Sequence, residues 1–155
     1  MGDQIHRAKV RIVPEQPSVK QAFVEPFPQE IRTGMHGGVK AWYQATAEEE
    51  LQTTIDHVVA AIGSGMAGPL AGALEACQIE AYGGLLETEV EGDIEEGENK
   101  MLLLTKVHVK YKLRIPQGKR AAAERSLALH HSRCPVSQSV GRGIQLEWSA
   151  EITEV

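Results

Sequence analysis

Two cysteines, Cys77 and Cys134, carry the most reactive side chains of this 155-residue sequence. Cys134 precedes Pro135, and proline favours the first position of a helix, so Cys134 is expected to cap a short helix over residues 135–140. Unpaired N–H groups at a helix start favour the thiolate form of a cysteine. Four further side chains nearby could assist: His130, His131, Arg133 and Arg142. An inert, buried cysteine that caps a turn fits these local features equally well.

Cys77 lies near the end of an apolar segment, residues 57–78. Burial there, towards the negative end of a helix, disfavours the thiolate form, so a plain core cysteine is the favoured interpretation. Cys77 is nevertheless kept as the second candidate catalytic residue.

The sequence offers little support for a metal or cofactor site. His130 or His131 has a metal-like spacing from Cys134. One cysteine and two histidines, without a second cluster of ligands elsewhere in the sequence, are nevertheless a weak indication of a zinc site. Glu48, Glu49 and Glu50 fit a solvated acidic turn better than a ligand set. The motifs G-x-S-x-G, H-E-x-x-H, G-x-G-x-x-G and the P-loop are missing. We therefore expect no metal and no cofactor.

Composition narrows the class of protein. The net charge is −5 with a pI near 5.7, and the chain has no basic patch of the kind that binds nucleic acid. The N-terminal residues MGDQIHRAKV lack the apolar core of a signal peptide. Two cysteines do not make a disulfide scaffold. These features predict a cytoplasmic protein.

The apolar segment 57–78 is predicted to be the central helix. Its large apolar residues recur at spacings of three and four: Val58, Val59, Ile62, Met66, Leu70 and Leu74. It is long enough to span a membrane, but its Ala/Gly-rich composition, Pro69 and Glu75 favour a buried core helix. Pro69 cannot donate a hydrogen bond to the Gly65 carbonyl, which predicts a kink there. The Gly68–Gly72 spacing predicts close approach of another backbone, and Thr53 or Thr54 is the expected N-cap.

The remaining elements alternate between strands and shorter helices. Short strands are expected in residues 1–46, at 6–13, 19–24, 30–32 and 39–45. A hairpin of an acidic and a basic strand, a helix pair and a last strand should follow, at 86–91, 105–115, 119–131, 135–140 and 144–152. Opposite outer charges predict Glu–Lys neighbours across the hairpin. We expect a single α+β domain over residues 1–155, with an antiparallel sheet and a long central helix.

Three features together resemble the OsmC-like family, which includes the osmotically inducible protein C group and the organic hydroperoxide resistance proteins. They are the long apolar helix, the segment ETEVEG at 87–92, and His131–Val136, which is similar to the pattern H-x-x-C-P. The resemblance covers roughly residues 50–155. It implies an intertwined homodimer with the two long helices at its centre, and reduction of organic hydroperoxides by two cysteines assisted by an arginine and a glutamate.

The resemblance carries over only in part. Cys134 falls on the second cysteine of the family, which closes a disulfide. The first, which attacks the peroxide, falls on Gly65 when Ala60–Leu70 is matched to the pattern A-A-L-A-A-C-x-A-x-T-L. Cys77 lies twelve residues further on, about 18 Å along a straight helix. Arg32 and one of Glu48–Glu50 are candidates for the assisting pair.

Three functions remain open from the sequence. The first is a thiol peroxidase that uses Cys134 with Cys77 or with an external thiol, at a turnover below that of two-cysteine relatives. The second is a non-catalytic protein that binds a small hydrophobic ligand in the dimer cleft, where Gly65 leaves room. The third is a structural, stress-associated dimer.

Overall fold

The computed structural model describes residues 2–155, which form two compact units divided between His57 and Val58. Ten main elements follow one another along the chain: β1 (Val10–Gln16), β2 (Val19–Val24), β3 (Glu30–Thr33), α1 (Gly37–Trp42), α2 (Thr54–Ala76), β4 (Leu86–Glu96), β5 (Leu102–Ile115), α3 (Arg120–His130), α4 (Pro135–Val140) and β6 (Gln145–Glu154). Two single 3-10 turns lie at Glu98–Lys100 and His131–Arg133. The α+β class predicted from the sequence is confirmed.

The N-terminal unit contains an antiparallel three-stranded sheet in the order β1-β2-β3. The predicted strands at 19–24 and 30–32 are confirmed. The first strand occupies 10–16 rather than 6–13 and continues through Pro14. Because β1 is an edge strand, the missing N–H of Pro14 costs the sheet little.

The strand predicted at 39–45 is wrong, since Gly37–Trp42 form the short helix α1. The Lys40 N–H donates to the His36 carbonyl at 3.0 Å and the Tyr43 N–H donates to the Val39 carbonyl at 3.1 Å. These bonds satisfy the backbone locally. A run of so few residues has no periodicity that separates a helix from a strand.

The C-terminal unit contains a second sheet, in the order β4-β5-β6. Strands β4 and β5 are antiparallel, and the predicted charge pairing is confirmed: Glu87 lies opposite Lys112 and Glu89 opposite Lys110. Strand β6 pairs with β5 in parallel, which corrects the expectation of a purely antiparallel sheet. The helices α3 and α4 form the crossover that a parallel pair requires.

Helix α2 supplies the centre of the C-terminal core. Its residues Ile62, Met66, Leu70 and Leu74 are fully buried at a strict spacing of four. They belong to the same cluster as five inward-facing residues of β5: Val107, Val109, Tyr111, Leu113 and Ile115. Among residues 2–155, α2 alone is long and apolar enough to cross a membrane. Its buried stripe is that of a core helix.

The N-terminal end of α2 follows the predicted signal, whereas the C-terminal end lies at Ala76, before the predicted residue 78. The Asp56 N–H donates to Thr53 Oγ1 at 3.1 Å and the Thr53 N–H donates to Asp56 Oδ2 at 2.6 Å. These two reciprocal hydrogen bonds form an N-terminal capping box. Of the two residues predicted as the N-cap, the structure therefore selects Thr53. The helix then continues through Pro69 to Ala76, and Gln78, at φ 59°, turns the chain away.

Candidate functional site

Cys134 lies where the sequence predicts it, at the N-cap of α4. Its side chain is completely buried, and its Sγ accepts a hydrogen bond from the Ser137 N–H at 3.3 Å. The Ser137 hydroxyl donates to the carbonyls of His131 and Cys134, at 3.1 and 3.2 Å. Helix α4 therefore holds the sulfur in a fixed position inside the core.

The thiol of Cys134 also donates to the Gly65 carbonyl of α2, at a Sγ–O distance of 3.0 Å. In a regular helix that carbonyl would accept from the N–H of residue 69. Pro69 has no N–H, so the carbonyl is left for another donor. Cys134 supplies it, and this bond exists only while the thiol keeps its hydrogen.

Gly65 faces Cys134 directly. A Cβ built on Gly65 would lie 3.5 Å from Cys134 Sγ. In a disulfide, bond lengths and angles place the Cβ of one cysteine about 3 Å from the sulfur of the other. The backbone thus holds Gly65 within a few tenths of an ångström of the place from which a second thiol would pair with Cys134.

Val136 occupies the space beside Gly65. The same Cβ would approach Val136 Cγ2 to 2.8 Å and Val136 Cβ to 2.9 Å, both closer than real contacts of this kind. Val136 therefore fills the space that a side chain at residue 65 would occupy. Gly65 consequently leaves no room for a ligand at this point.

Cys77 lies beyond the C-terminal end of α2 and is half-buried. Twelve residues of helix separate it from Gly65, or about 18 Å. Its carbonyl accepts a hydrogen bond from Lys119 Nζ at 3.0 Å. Cys77 and Cys134 are both free thiols. The structure thus brings Cys134 to Gly65 at the middle of α2, whereas Cys77 lies just past the C-terminal end of the helix.

A buried tyrosine–histidine pair lies in the same core as Cys134. His130 Nδ1–H donates to the Leu127 carbonyl at 2.6 Å, which leaves Nε2 to accept from the Tyr111 hydroxyl at 3.0 Å. Burial lowers the pKa of His130, an effect that the Leu127 carbonyl opposes and nearby His131 reinforces. Burial, and secondarily the Cys134 sulfur, raises the pKa of Tyr111. Both groups are therefore neutral near pH 7.

The sequence did not point to Tyr111. It is one of several inward-facing residues of β5, and the partner of its hydroxyl lies nineteen residues away on α3. Alternation along β5 predicts that Tyr111 is buried, but it does not reveal which donor or acceptor receives the hydroxyl group.

Arg32 binds two carboxylates within the N-terminal unit. Its guanidinium donates to both oxygens of Glu49, at 2.8 Å each, and to both oxygens of Glu15, at 2.9 and 3.0 Å. The hydrogen bonds to Glu49 and then Glu15 raise the pKa of Arg32, and Arg32 lowers the pKa of Glu49. Of the three candidate glutamates, Glu49 is thus the partner of Arg32. Glu50 pairs with Lys40 instead, and Glu15 was not among the predicted candidates.

Within residues 2–155, no group of three His, Cys, Asp or Glu side chains is arranged to hold a metal ion.

Comparison with known proteins gives a consistent set of similarities. A family model described as OsmC-like protein matches residues 47–149. No curated protein matches the chain. Solved structures with the same fold include an OsmC-like protein from Mycoplasma pneumoniae, at 10% identity and a TM-score of 0.74, with 97% of this chain and 99% of that chain covered.

Two further structures carry functional names. One, from Legionella pneumophila, is titled an organic hydroperoxide resistance protein OsmC; it is 11% identical, with a TM-score of 0.68 over 96% of this chain and 99% of that one. The other is the organic hydroperoxide resistance protein OhrB of Bacillus subtilis. It is 12% identical, with a TM-score of 0.66 over 96% of this chain and 100% of that one. At these identities the likeness shows the shared fold.

Proposed function

Because this chain belongs to the OsmC-like protein family, we propose that it is a stress-related protein whose function is related to thiol-dependent reduction of organic hydroperoxides. It retains the second thiol, Cys134, and has glycine where the attacking thiol is expected. Its reduction of organic hydroperoxides is therefore weak or absent. The observation that carries this proposal is the position of Gly65, whose Cβ would lie 3.5 Å from Cys134 Sγ.

The chemistry of a two-thiol centre explains what the glycine removes. A first thiolate attacks a peroxide oxygen, the O–O bond breaks, and the products are a sulfenic acid and an alcohol. A second thiol then attacks the sulfenic sulfur, which releases water and forms a disulfide that an external dithiol reduces. In this chain Cys134 has no partner at Gly65 to complete the cycle. It is also fully buried and donates its hydrogen to the Gly65 carbonyl.

Thiol counting after oxidation tests this proposal. The protein is treated with one equivalent of cumene hydroperoxide, denatured so that the buried Cys134 is accessible, alkylated, and measured as an intact chain by mass spectrometry, beside Cys77→Ser and Cys134→Ser. We expect both thiols of the wild type to be alkylated, with no disulfide inside the chain, because Cys77 lies about 18 Å along α2 from the Cys134 site. Rapid loss of both thiols with formation of a Cys77–Cys134 disulfide would contradict the proposal.

The outer face of α2 supports a homodimer, as the family resemblance implies. Its exposed residues are small and recur at spacings of three and four: Ala61, Ser64, Gly68 and Gly72. A Cβ built on Gly68 or Gly72 would have no neighbour within 4 Å. A stripe of small residues lets a second helix approach closely, and the same stripe of a second copy is the partner that we propose.

The two free cysteines support a cytoplasmic location, where thiols stay reduced.

A bulky side chain on this face tests the dimer. Gly72→Leu should weaken dimerisation at least about tenfold, because the added side chain holds the two helices apart. Light scattering after size exclusion, over a range of protein concentrations, gives the oligomeric state. Ala128→Leu, at an exposed position of α3, is the control and should leave it unchanged. A wild-type monomer at all concentrations, or a Gly72→Leu dimer as stable as the wild type, would refute the proposal.

A further inference from the structure

An open groove lies between α4 and the beginning of β6, on the surface of the C-terminal unit. Its volume is about 420 Å³, and its walls include His131, Gln138, Arg142, Leu146 and Trp148. Small-molecule sites usually have volumes of roughly 300–1,000 Å³ and combine apolar walls with a few polar groups. The size of the groove fits that range, its lining is somewhat more polar than apolar, and no step of the proposed thiol chemistry uses it.

The apolar part of the groove is a rigid aromatic platform. Trp148 stacks on His131, with ring centroids 4.6 Å apart and an angle of 22° between the planes. His130 holds the indole edge-on, at 5.6 Å and 90°. Trp148 nevertheless remains 37% exposed. Because these neighbours fix the ring, a flat apolar ligand can pack against it without the entropic cost of ordering it.

The polar part of the groove carries an unused positive charge. Arg142 makes no ion pair or side-chain hydrogen bond within residues 2–155, unlike Arg32 and Arg120. No carboxylate belongs to the lining of the groove, although the chain as a whole has a net charge of −5. The nearest acidic group along β6, Glu147, is neutralised by Lys106 at 2.7 Å. A guanidinium in such surroundings is suited to a carboxylate, which it can bind through two hydrogen bonds.

We infer that this groove binds a small aromatic carboxylate, whose ring packs on Trp148 and whose carboxylate pairs with Arg142. Gln138 adds an amide at the same wall; its Nε2 donates to the His131 carbonyl at 3.2 Å. Its side-chain oxygen has no partner within residues 2–155, so it can accept a hydrogen bond from a polar substituent of the ligand. Cys134 does not line the groove, although Ser137, which does, donates its N–H to the Cys134 sulfur. The inference does not depend on hydroperoxide chemistry.

Titration with sodium benzoate, followed by NMR of the ¹⁵N-labelled protein, tests the inference. The chain has two tryptophans, so the Trp42 indole signal is an internal control for that of Trp148. We expect benzoate to shift the Trp148 indole N–H in a saturable manner and to leave Trp42 unchanged. Benzamide, which has the same shape without the charge, should bind at least about fivefold more weakly.

Two arginine variants separate a specific site from general attraction of anions. Arg142→Gln should weaken benzoate binding at least about fivefold. Arg133→Gln, an exposed neighbour outside the groove, should bind benzoate like the wild type. The inference is overturned if the Trp148 signal does not shift, if benzamide binds as tightly as benzoate, or if the two variants behave alike.

Discussion

Replacing Gly65 by cysteine and Val136 by alanine in the same chain should create a thiol pair that consumes cumene hydroperoxide at least about tenfold faster than the wild type, a difference of about 1.4 kcal/mol in the barrier. The backbone already places residue 65 within reach of Cys134 Sγ. Val136→Ala removes the Cγ2 methyl group, which a Cβ at residue 65 would meet at 2.8 Å. The Cβ of residue 136 remains at 2.9 Å, so the start of α4 has to shift by only a few tenths of an ångström. Consumption is measured with dithiothreitol as the reductant, and disulfide formation by mass spectrometry.

Single variants show whether both changes are needed. Gly65→Cys alone should give a smaller gain, because the new side chain displaces Val136 and with it the start of α4. Val136→Ala alone should give none. Adding Cys134→Ser to the double variant should abolish the disulfide. If the double variant folds normally, judged by circular dichroism, and its thiols stay unpaired after peroxide, then Gly65 does not mark the position of a lost thiol.

Gly63→Ala should destabilise the protein by about 1–3 kcal/mol, although alanine is normally the better helix former by roughly 1 kcal/mol. Gly63 is buried where α2 crosses β4, and a Cβ there would overlap with Val90 Cγ2. The helix would have to move away from the sheet or Val90 would have to change rotamer. Urea unfolding followed by circular dichroism, at one fixed protein concentration, measures the loss.

A second substitution identifies the cause of that loss. In the background of Val90→Ala the added methyl group has space, so the double variant should be more stable than the sum of the single effects predicts, by at least about 1 kcal/mol. Arg125→Ala, at an exposed position of α3 away from this contact, should change stability by less than about 0.5 kcal/mol. Strict additivity of Gly63→Ala and Val90→Ala would show that close packing of α2 on β4 is not the reason.

The sequence predicted best those elements in which apolar residues recur on one face over many residues. Ile62, Met66, Leu70 and Leu74 identify α2 because the same spacing of four repeats three times in succession. The helix 135–140 was predicted from Cys134 and Pro135, which mark its start. In contrast, α1 is too short to show a period. The direction of β6 was missed because alternation looks the same in parallel and antiparallel strands.

Features of the site could be predicted from the sequence only where the residues that determine them lie in one segment of the chain. The missing N–H of Pro69 reveals from sequence that the Gly65 carbonyl needs another donor. That the donor is Cys134, sixty-nine residues away, depends on how α4 packs on α2. The same is true of Val136, which fills the space beside Gly65, and of Tyr111, which meets His130. Contacts between distant segments follow from the packing of whole elements.

Hydroperoxide consumption by the wild type, Cys134→Ser and Cys77→Ser is the most direct measurement. Each protein is assayed with dithiothreitol, using cumene hydroperoxide and hydrogen peroxide in turn, beside a blank without protein. With Gly65 opposite a buried Cys134, we predict that all three proteins consume peroxide at rates close to the blank. Fast consumption by the wild type that is lost in Cys134→Ser, or in both variants, would show that a working thiol centre exists without a cysteine at position 65.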